Sequence, residues 1–247
     1  MDRAKLLYIE FMNTKPTTAL QDANSAYISS IPLEAEERVV PDYPYGGVWH
    51  ADYFIGTERV GCRTLFEHGE RNEFAFKDGE KHGWQYHWYG NGALESAEPY
   101  ENGVPHGTAL QFDREGHPNG TYTLDHGTGI DLWRQPWPDG RVELSEVHYM
   151  KDGQPHGFEW WLSNDAVWQE RYWHEGLLHG VERCWLRERR LSRGYPRFWI
   201  ENEQVKKAKY IRVAKKDGTL PPFRIEENSP ERELPPEIRK LIAKDQA

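Results

Sequence analysis

The sequence KDGEKHGWQYHWYGNG, residues 77–92, holds the two features that decide the fold. The first is a Gly-x-x-His-Gly motif at 79–83, which recurs at 103–107, 153–157 and 176–180, with a degenerate copy at 125–129. Neighbouring copies lie 23 to 26 residues apart. A period of this length predicts an array of one small structural unit, and such arrays build extended binding surfaces.

The second feature is a hairpin pattern inside each unit. Residues 84–88 alternate aromatic with polar side chains, as a half-buried strand does, and Asn91-Gly92 is a strong hairpin signal. Equivalent turns follow at Gly116, Gly140 and Asn164-Asp165. Consecutive hairpins joined by short turns predict an all-β fold, an extended, twisted antiparallel meander in a single-layer sheet.

The repeats also indicate the domain organisation. We expect the hairpin array at residues 55–205. Residues 1–54 form a non-repetitive N-terminal cap with a strand at 6–12 and a weak helical stretch at 19–29. Residues 206–247 supply a C-terminal capping helix, which begins near Gln204 and ends near Lys216, and a proline-rich tail.

Composition narrows the function classes. The net charge of −9 disfavours nucleic acid as a partner, although residues 181–224 hold 13 Lys and Arg against 5 Asp and Glu. Two cysteines are too few for a disulfide framework. The sequence shows no secretory signal pattern and no transmembrane segment, so we expect a cytoplasmic protein.

The repeat resembles the membrane occupation and recognition nexus (MORN) repeat, and it is especially similar to the variant in the bacterial YwqK-type antitoxin family. Residues 77–92 carry the match most fully, and the resemblance covers about residues 55–205. It implies a curved sheet of hairpins. Proteins with such repeats include scaffolds, lipid-associated proteins and presumed antitoxins or immunity proteins, so the repeat implies an architecture rather than one function.

The repeated histidines His82, His106, His156 and His179 invite a metal interpretation. Equivalent positions in successive hairpins are two strands apart, about 9.5 Å, whereas the ligands of one zinc ion must converge. We therefore expect these side chains to donate hydrogen bonds to backbone carbonyls, and we predict no metal site and no cofactor. The sequence contains no nucleophile elbow, P-loop or HExxH motif, so we also predict that the chain is not an enzyme.

Aromatic side chains are the candidates for partner binding. One interpretation makes their stripe the core of the sheet; the other places an aromatic face against a partner. The candidate contact residues are Trp84, Tyr86, Trp88, Tyr89, Trp160 and Trp161. The leading hypothesis is an antitoxin-like or immunity-like protein that binds a protein partner, such as a basic toxin, through its β surface.

The last repeat suggests an alternative. Arginines interleaved with aromatic residues form a candidate basic patch, composed of Arg183, Arg187, Arg189, Arg190 and Arg193. The patch is either a solvated strand and turn or a site for phosphate groups, and in the second case the chain is a peripheral scaffold on anionic lipid or on itself. Both this unit and the eroded copy at 125–129 depart from the repeat, and specificity is expected where a repeat protein departs from its own pattern.

Overall fold

The computed structural model describes residues 18–22, 25–40, 49–137, 139–164, 166–186, 190–231 and 233–245. The chain divides into two compact units, of which the first comprises residues 1–126 with 242–247 and the second residues 127–241. The strand expected at 6–12 lies outside the described residues.

The first unit contains a series of antiparallel strands. They are β1 (Thr18–Asp22), β2 (Ser25–Ser29), β3 (Glu36–Val39), β4 (Trp49–Ile55), β5 (Glu58–Leu65), β6 (Arg71–Lys77), β7 (Glu80–Lys81), β8 (Gly83–Trp88), β9 (Leu94–Glu101), β10 (Val104–Pro105), β11 (Gly107–Phe112) and β12 (Pro118–Asp125). The hairpin of β1 and β2 replaces the helix expected at 19–29, because backbone pairing from Thr18 with Ser29 to Asp22 with Ser25 holds the segment extended. The meander includes β3 and β4, both of which begin before residue 55.

The second unit continues with longer strands and ends in helices. Its strands are β13 (Thr128–Pro136), β14 (Val142–Lys151), β15 (Gln154–Ser163), β16 (Ala166–His174), β17 (Leu177–Leu178), β18 (Val181–Cys184), β19 (Arg197–Ile200) and β20 (Glu203–Val205). They are followed by α1 (Lys207–Ala214), a 3-10 turn (Glu226–Asn228) and α2 (Pro236–Asp245). In the described part of the chain, no helix is long and apolar enough to cross a membrane.

The predicted fold class is confirmed: the protein is an all-β antiparallel meander of repeated hairpins with a C-terminal helix. The turn before each repeated motif has positive φ at two successive residues, as in Asn102 (48°) and Gly103 (84°). This is the geometry of the two-residue hairpin turn that matches strand twist. At Asn91-Gly92 the hairpin is also present, but only Gly92 has positive φ, and its N–H bonds the Tyr89 carbonyl at 2.9 Å in a longer loop.

Side chains of the opposite strand explain why the second glycine of the motif cannot be a larger residue at Gly157 and Gly180. At Gly157 an added Cβ would lie 3.0 Å from Cβ of Tyr149, and at Gly180 it would lie 2.5 Å from Cβ of Tyr172. An aromatic side chain thus covers each of these glycines, so any larger residue would displace it. Gly157 also has a φ of 110°, which L-residues rarely adopt.

Each unit has its own apolar core. In the first unit the cluster consists of Tyr86, Trp88, Ala97, Leu110 and Phe112. In the second unit helix α1 covers the last strands, because Tyr210 is fully buried against Val181, Phe198 and Leu220. The predicted C-terminal capping helix therefore exists, and it is shorter than the apolar pattern indicated.

Candidate functional site

Most of the aromatic residues predicted to bind a partner are core residues. Tyr86 stacks on Trp84 with ring centroids 6.5 Å apart and lies 5.4 Å from Trp88. Tyr86 is fully buried and Trp88 nearly so, while Trp84 packs at the edge of the same cluster. Tyr89 is also buried, and its hydroxyl donates to the Phe112 carbonyl at 2.9 Å. Tyr86, Trp88 and Tyr89 are therefore not exposed to a partner, whereas Trp84 is partly exposed.

The two tryptophans of β15 have different environments. Trp160 is buried, and its indole N–H donates to Glu170 at 3.0 Å. Trp161 points to the opposite face and is half-buried, with its ring 6.2 Å from that of Trp168 and the Arg171 guanidinium 4.8 Å above it. Trp161 therefore lies beside the exposed Trp168.

The repeated histidines connect each hairpin to the next one. In each case the ring Nδ1 accepts the backbone N–H of a turn residue about 20 positions later. The pairs are His82 with Asn102 (3.5 Å), His106 with His126 (3.0 Å), His156 with Glu175 (3.3 Å) and His179 with Glu201 (3.2 Å). The prediction that these rings donate to carbonyls is wrong for Nδ1, because the neighbouring turn presents an N–H at this position. Burial lowers the pKa of His156 and of His179, which favours the neutral acceptor form.

The predicted basic patch is not one exposed surface. Arg183 is 2% exposed, whereas Arg190 and Arg193 are exposed, and Arg187 and Arg189 lie outside the described residues. Arg183 is buried because it forms the centre of a polar cluster, so the high positive charge of the segment did not predict its position.

This cluster attaches the C-terminal segment to the strands. The Arg183 guanidinium bonds Glu170 on β16, Glu227 at 3.0 Å and the Asn228 amide oxygen at 3.3 Å. Trp185 adds an indole N–H bond to the Asn228 carbonyl at 2.8 Å. The 3-10 turn is therefore held against β18 by part-buried hydrogen bonds, of which the Arg183–Glu227 bond is charge-assisted at both ends.

A row of alternating charges crosses the strands of the second unit. Each member lies 3.4 to 4.0 Å from an oppositely charged neighbour. The row consists of Asp131, His148, Glu159, Arg171, Glu182 and Arg197. Burial by itself lowers the pKa of His148, but the carboxylates of Asp131, 3.6 Å from Nδ1, and Glu146, 3.2 Å from Nε2, outweigh it and raise the pKa to about 9. These acidic residues are therefore neutralised within the sheet, and the row is not a bare acidic surface.

A groove of mixed polar and apolar lining opens at the hairpin tips of the second unit, and we call it the tip groove. It has a volume of about 620 Å³. It is lined by Trp137, Ser163, Asn164, Ala166, Val167, Trp168, Trp185, Leu186 and Pro230. Trp137, Trp168 and Leu186 are 37%, 41% and 43% exposed, which is unusual for side chains of this size. Three exposed apolar side chains therefore line one concavity.

An acidic cavity of about 220 Å³ adjoins the tip groove. The two share Trp137, Ser163 and Trp168, and the second is also lined by Glu143, Glu146 and Trp161. Aromatic faces here already accept cations, since the Arg141 guanidinium lies 5.6 Å from the Trp137 ring. The surface therefore combines exposed indoles with carboxylates.

A second pattern in the sequence, distinct from the Gly-x-x-His-Gly motif, places Trp137 at a hairpin tip. Phe66, Tyr89, Asp113 and Trp137 each stand three residues before a turn glycine, and each carbonyl accepts that glycine's N–H. Tyr89 is buried at this position whereas Trp137 is exposed. Aligning the tip loops in this way identifies Trp137 as a tip residue, but its exposure depends on packing that the period does not encode.

Comparisons with known proteins do not assign the chain to a family. No protein-family model matches it, and the comparison with curated proteins found no match. Among solved structures it is similar to TarM, at 11% identity, and to a mutant TarM from S. aureus in complex with Fondaparinux, alpha-GlcNAc-glycerol and UDP, at 13% identity. Both alignments cover 65% of this chain and 24% of the TarM chain, with a TM-score of 0.26. The chain thus spans about a quarter of the structures it matches.

Proposed function

We propose that this chain is a non-enzymatic protein-binding repeat protein that holds a basic, partly apolar segment of a protein partner at the tip groove. The observation that carries the proposal is the exposure of Trp137, Trp168 and Leu186 in a single groove. Large apolar side chains that remain exposed together characterise interaction surfaces. Tryptophan is also among the residues that dominate binding energy at interfaces.

The chemistry of the surroundings favours a basic partner. Glu143 and Glu146 line the cavity that shares two tryptophans with the groove. A lysine or arginine of the partner could place its alkyl stem on an indole and its charge at Glu143 or Glu146, in competition with Arg141 and His148. The net charge of −9 would increase the rate of encounter with such a partner.

The resemblance to MORN repeats of the YwqK type supports an antitoxin-like or immunity-like role within this proposal. Such proteins act by binding another protein, which agrees with an exposed groove on a rigid sheet. The alternative, a scaffold on anionic lipid, loses one of its predicted contacts, because Arg183 is buried and paired with Glu170.

The test compares variants of the groove with a matched surface variant. Tagged full-length protein is used to capture partners from cells of the source organism, and the affinity of the recovered partner is then measured. Trp168→Ala should weaken binding by at least about 2 kcal/mol, roughly 30-fold. Leu177→Ala removes an equally exposed apolar side chain of the same unit, 38% exposed, and should leave binding unchanged.

Two outcomes would refute the proposal. One is that no stable protein partner is recovered by the wild-type chain. The other is that the Trp137→Ala and Trp168→Ala variants bind a recovered partner as tightly as Leu177→Ala does. Added salt should weaken binding if the partner is basic, since the carboxylates attract it electrostatically. Binding insensitive to salt would contradict that part of the proposal.

A further inference from the structure

The eroded copy of the repeat brings two histidines together in the first unit. His126 occupies the turn position where the preceding copies have Asp78 and Asn102, and like them it has a positive φ, here 46°. Its ring lies 4.0 Å from that of His106, centroid to centroid. Comparing only equivalent histidines, two strands apart, could not reveal this pair, because His126 belongs to a different position of the repeat.

Glu101 completes a set of three potential metal ligands. Its Oε2 is 3.6 Å from Nε2 of His106 and 3.9 Å from Nε2 of His126. One donor atom of each residue lies within 4.8 Å of the other two. Four ligands placed tetrahedrally around zinc at about 2.0–2.1 Å are roughly 3.4 Å apart. The three atoms therefore need to move by only about an ångström to share one ion.

A carboxylate lies behind both rings. Oδ1 of Asp125 is 2.8 Å from Nδ1 of His126 and 3.4 Å from Nδ1 of His106. A carboxylate that accepts from Nδ1–H leaves Nε2 with its lone pair and orients it towards a metal. Binding at His106 Nε2 places that residue's proton on Nδ1, facing Asp125. The backbone N–H of His126, now bonded to that nitrogen, is then satisfied by water at this exposed turn.

Two sister turns serve as comparisons, because they share the backbone and carry a lysine in the place of Glu101. Around His82, the places of Glu101 and His126 are taken by Lys77 and Asn102. Around His156, the place of Glu101 is taken by Lys151. A lysine at this point presents a positive charge where a cation would bind.

Two other clusters are weaker candidates. His50, Asp52 and Cys62 also converge, but Asp52 is already bonded by the guanidinium of Arg59 through Nε at 2.7 Å. The turn at His179 also has other residues that can bind a metal, but Nε2 of His179 is already within hydrogen-bond distance of the Thr219 hydroxyl, at 3.0 Å. In both cases the groups that would face the ion are engaged by other side chains.

We propose that Glu101, His106 and His126 bind one Zn²⁺ ion, with Asp125 as the positioning carboxylate and water in the remaining coordination position. Two imidazoles and one carboxylate suit zinc, and the partial exposure of the three side chains admits the water. The ion would join two successive hairpin turns and stabilise the folded chain by mass action. This proposal is independent of the tip groove.

The experiment is a calorimetric titration of full-length protein, freed of any histidine tag, with zinc chloride. Cobalt chloride serves as a second probe, because tetrahedral Co²⁺ absorbs visible light. We expect one ion per chain and a rise in the thermal midpoint. His126→Asn reproduces the sister turn at Asn102 and should weaken binding at least 10-fold. Glu101→Gln should do the same, and circular dichroism confirms that each variant is folded.

His117→Asn is the matched control, because His117 is an exposed histidine of the same unit, 3.1 Å from Asp113. It should bind zinc as the wild type does. The double change Lys77→Glu with Asn102→His should create a second site at His82. Absence of zinc binding would overturn the proposal, as would equal affinity in the folded His126→Asn and Glu101→Gln variants. An equal loss in His117→Asn would also overturn it, since it would indicate adventitious surface binding.

Discussion

Removing Arg183 should destabilise the second unit and release its C-terminal segment. Arg183 and Glu170 are both 2% exposed, and Glu170 also accepts the indole N–H of Trp160. Arg183→Ala removes this charged partner from the buried Glu170 carboxylate. Removing one partner of a buried pair costs about 3–5 kcal/mol, whereas a solvent-exposed pair contributes roughly 1 kcal/mol or less. We therefore expect a loss of about 3–5 kcal/mol in the free energy of unfolding.

Two assays measure this effect. Urea denaturation followed by tryptophan fluorescence gives the midpoint, and limited trypsin digestion reports on the segment. Arg224 is exposed and precedes the 3-10 turn, so cleavage after it should accelerate when Glu227 and Asn228 lose Arg183. Arg193→Ala, which removes an exposed arginine, should change the free energy of unfolding by no more than about 0.5 kcal/mol.

A compensating variant separates the buried charge from the loss of packing. Glu170→Gln keeps an oxygen for the Trp160 N–H, and Arg183→Met fills much of the arginine volume. The combined variant should recover at least half of the stability lost in Arg183→Ala, because neither partner is then charged. The reasoning is refuted if Arg183→Ala unfolds at the same urea concentration as Arg193→Ala, or if its cleavage after Arg224 is not faster.

Three further effects follow from the structure. Phe112→Ala removes a side chain that is 2% exposed and should lower the free energy of unfolding, measured by urea denaturation, by about 3–5 kcal/mol. Leu33→Ala, at a 61% exposed position, should lower it by no more than about 0.5 kcal/mol. Gly127→Ala should lower the thermal midpoint more than Gly92→Ala, because both have positive φ but only the first would place a Cβ 2.1 Å from the backbone nitrogen of the next turn. His148 has a folded pKa of about 9, above its ordinary value of about 6.5. Its protonated ring therefore adds fully to the free energy of unfolding below about pH 6.5, and this stabilisation is lost as the pH rises through about 9. The difference in stability between wild type and His148→Gln should shrink accordingly between about pH 6 and about pH 10.

Periodicity in the sequence was sufficient to predict the hairpins. Asn102 and Gly103 require the left-handed conformation of a tight turn, and the alternation at 84–88 identifies a strand, so local signals specify both. The burial of Arg183 could not be predicted in this way. Its partner Glu227 is 44 residues away, and its environment depends on how the C-terminal segment returns to β18. Local composition indicated a basic surface because it counts charges without their partners.

The candidate sites also show what a repeat pattern cannot predict. A repeat defines which positions are equivalent, and equivalent positions share a backbone geometry rather than a function. The turn position of Asn102 has a positive φ, and in later copies it is occupied by His126, Asp152 and Glu175. The turn itself therefore accepts several residue types and does not account for His126. A zinc ion shared with the adjacent His106 and Glu101 is the role we propose for its ring, and zinc titration tests it at this degenerate turn.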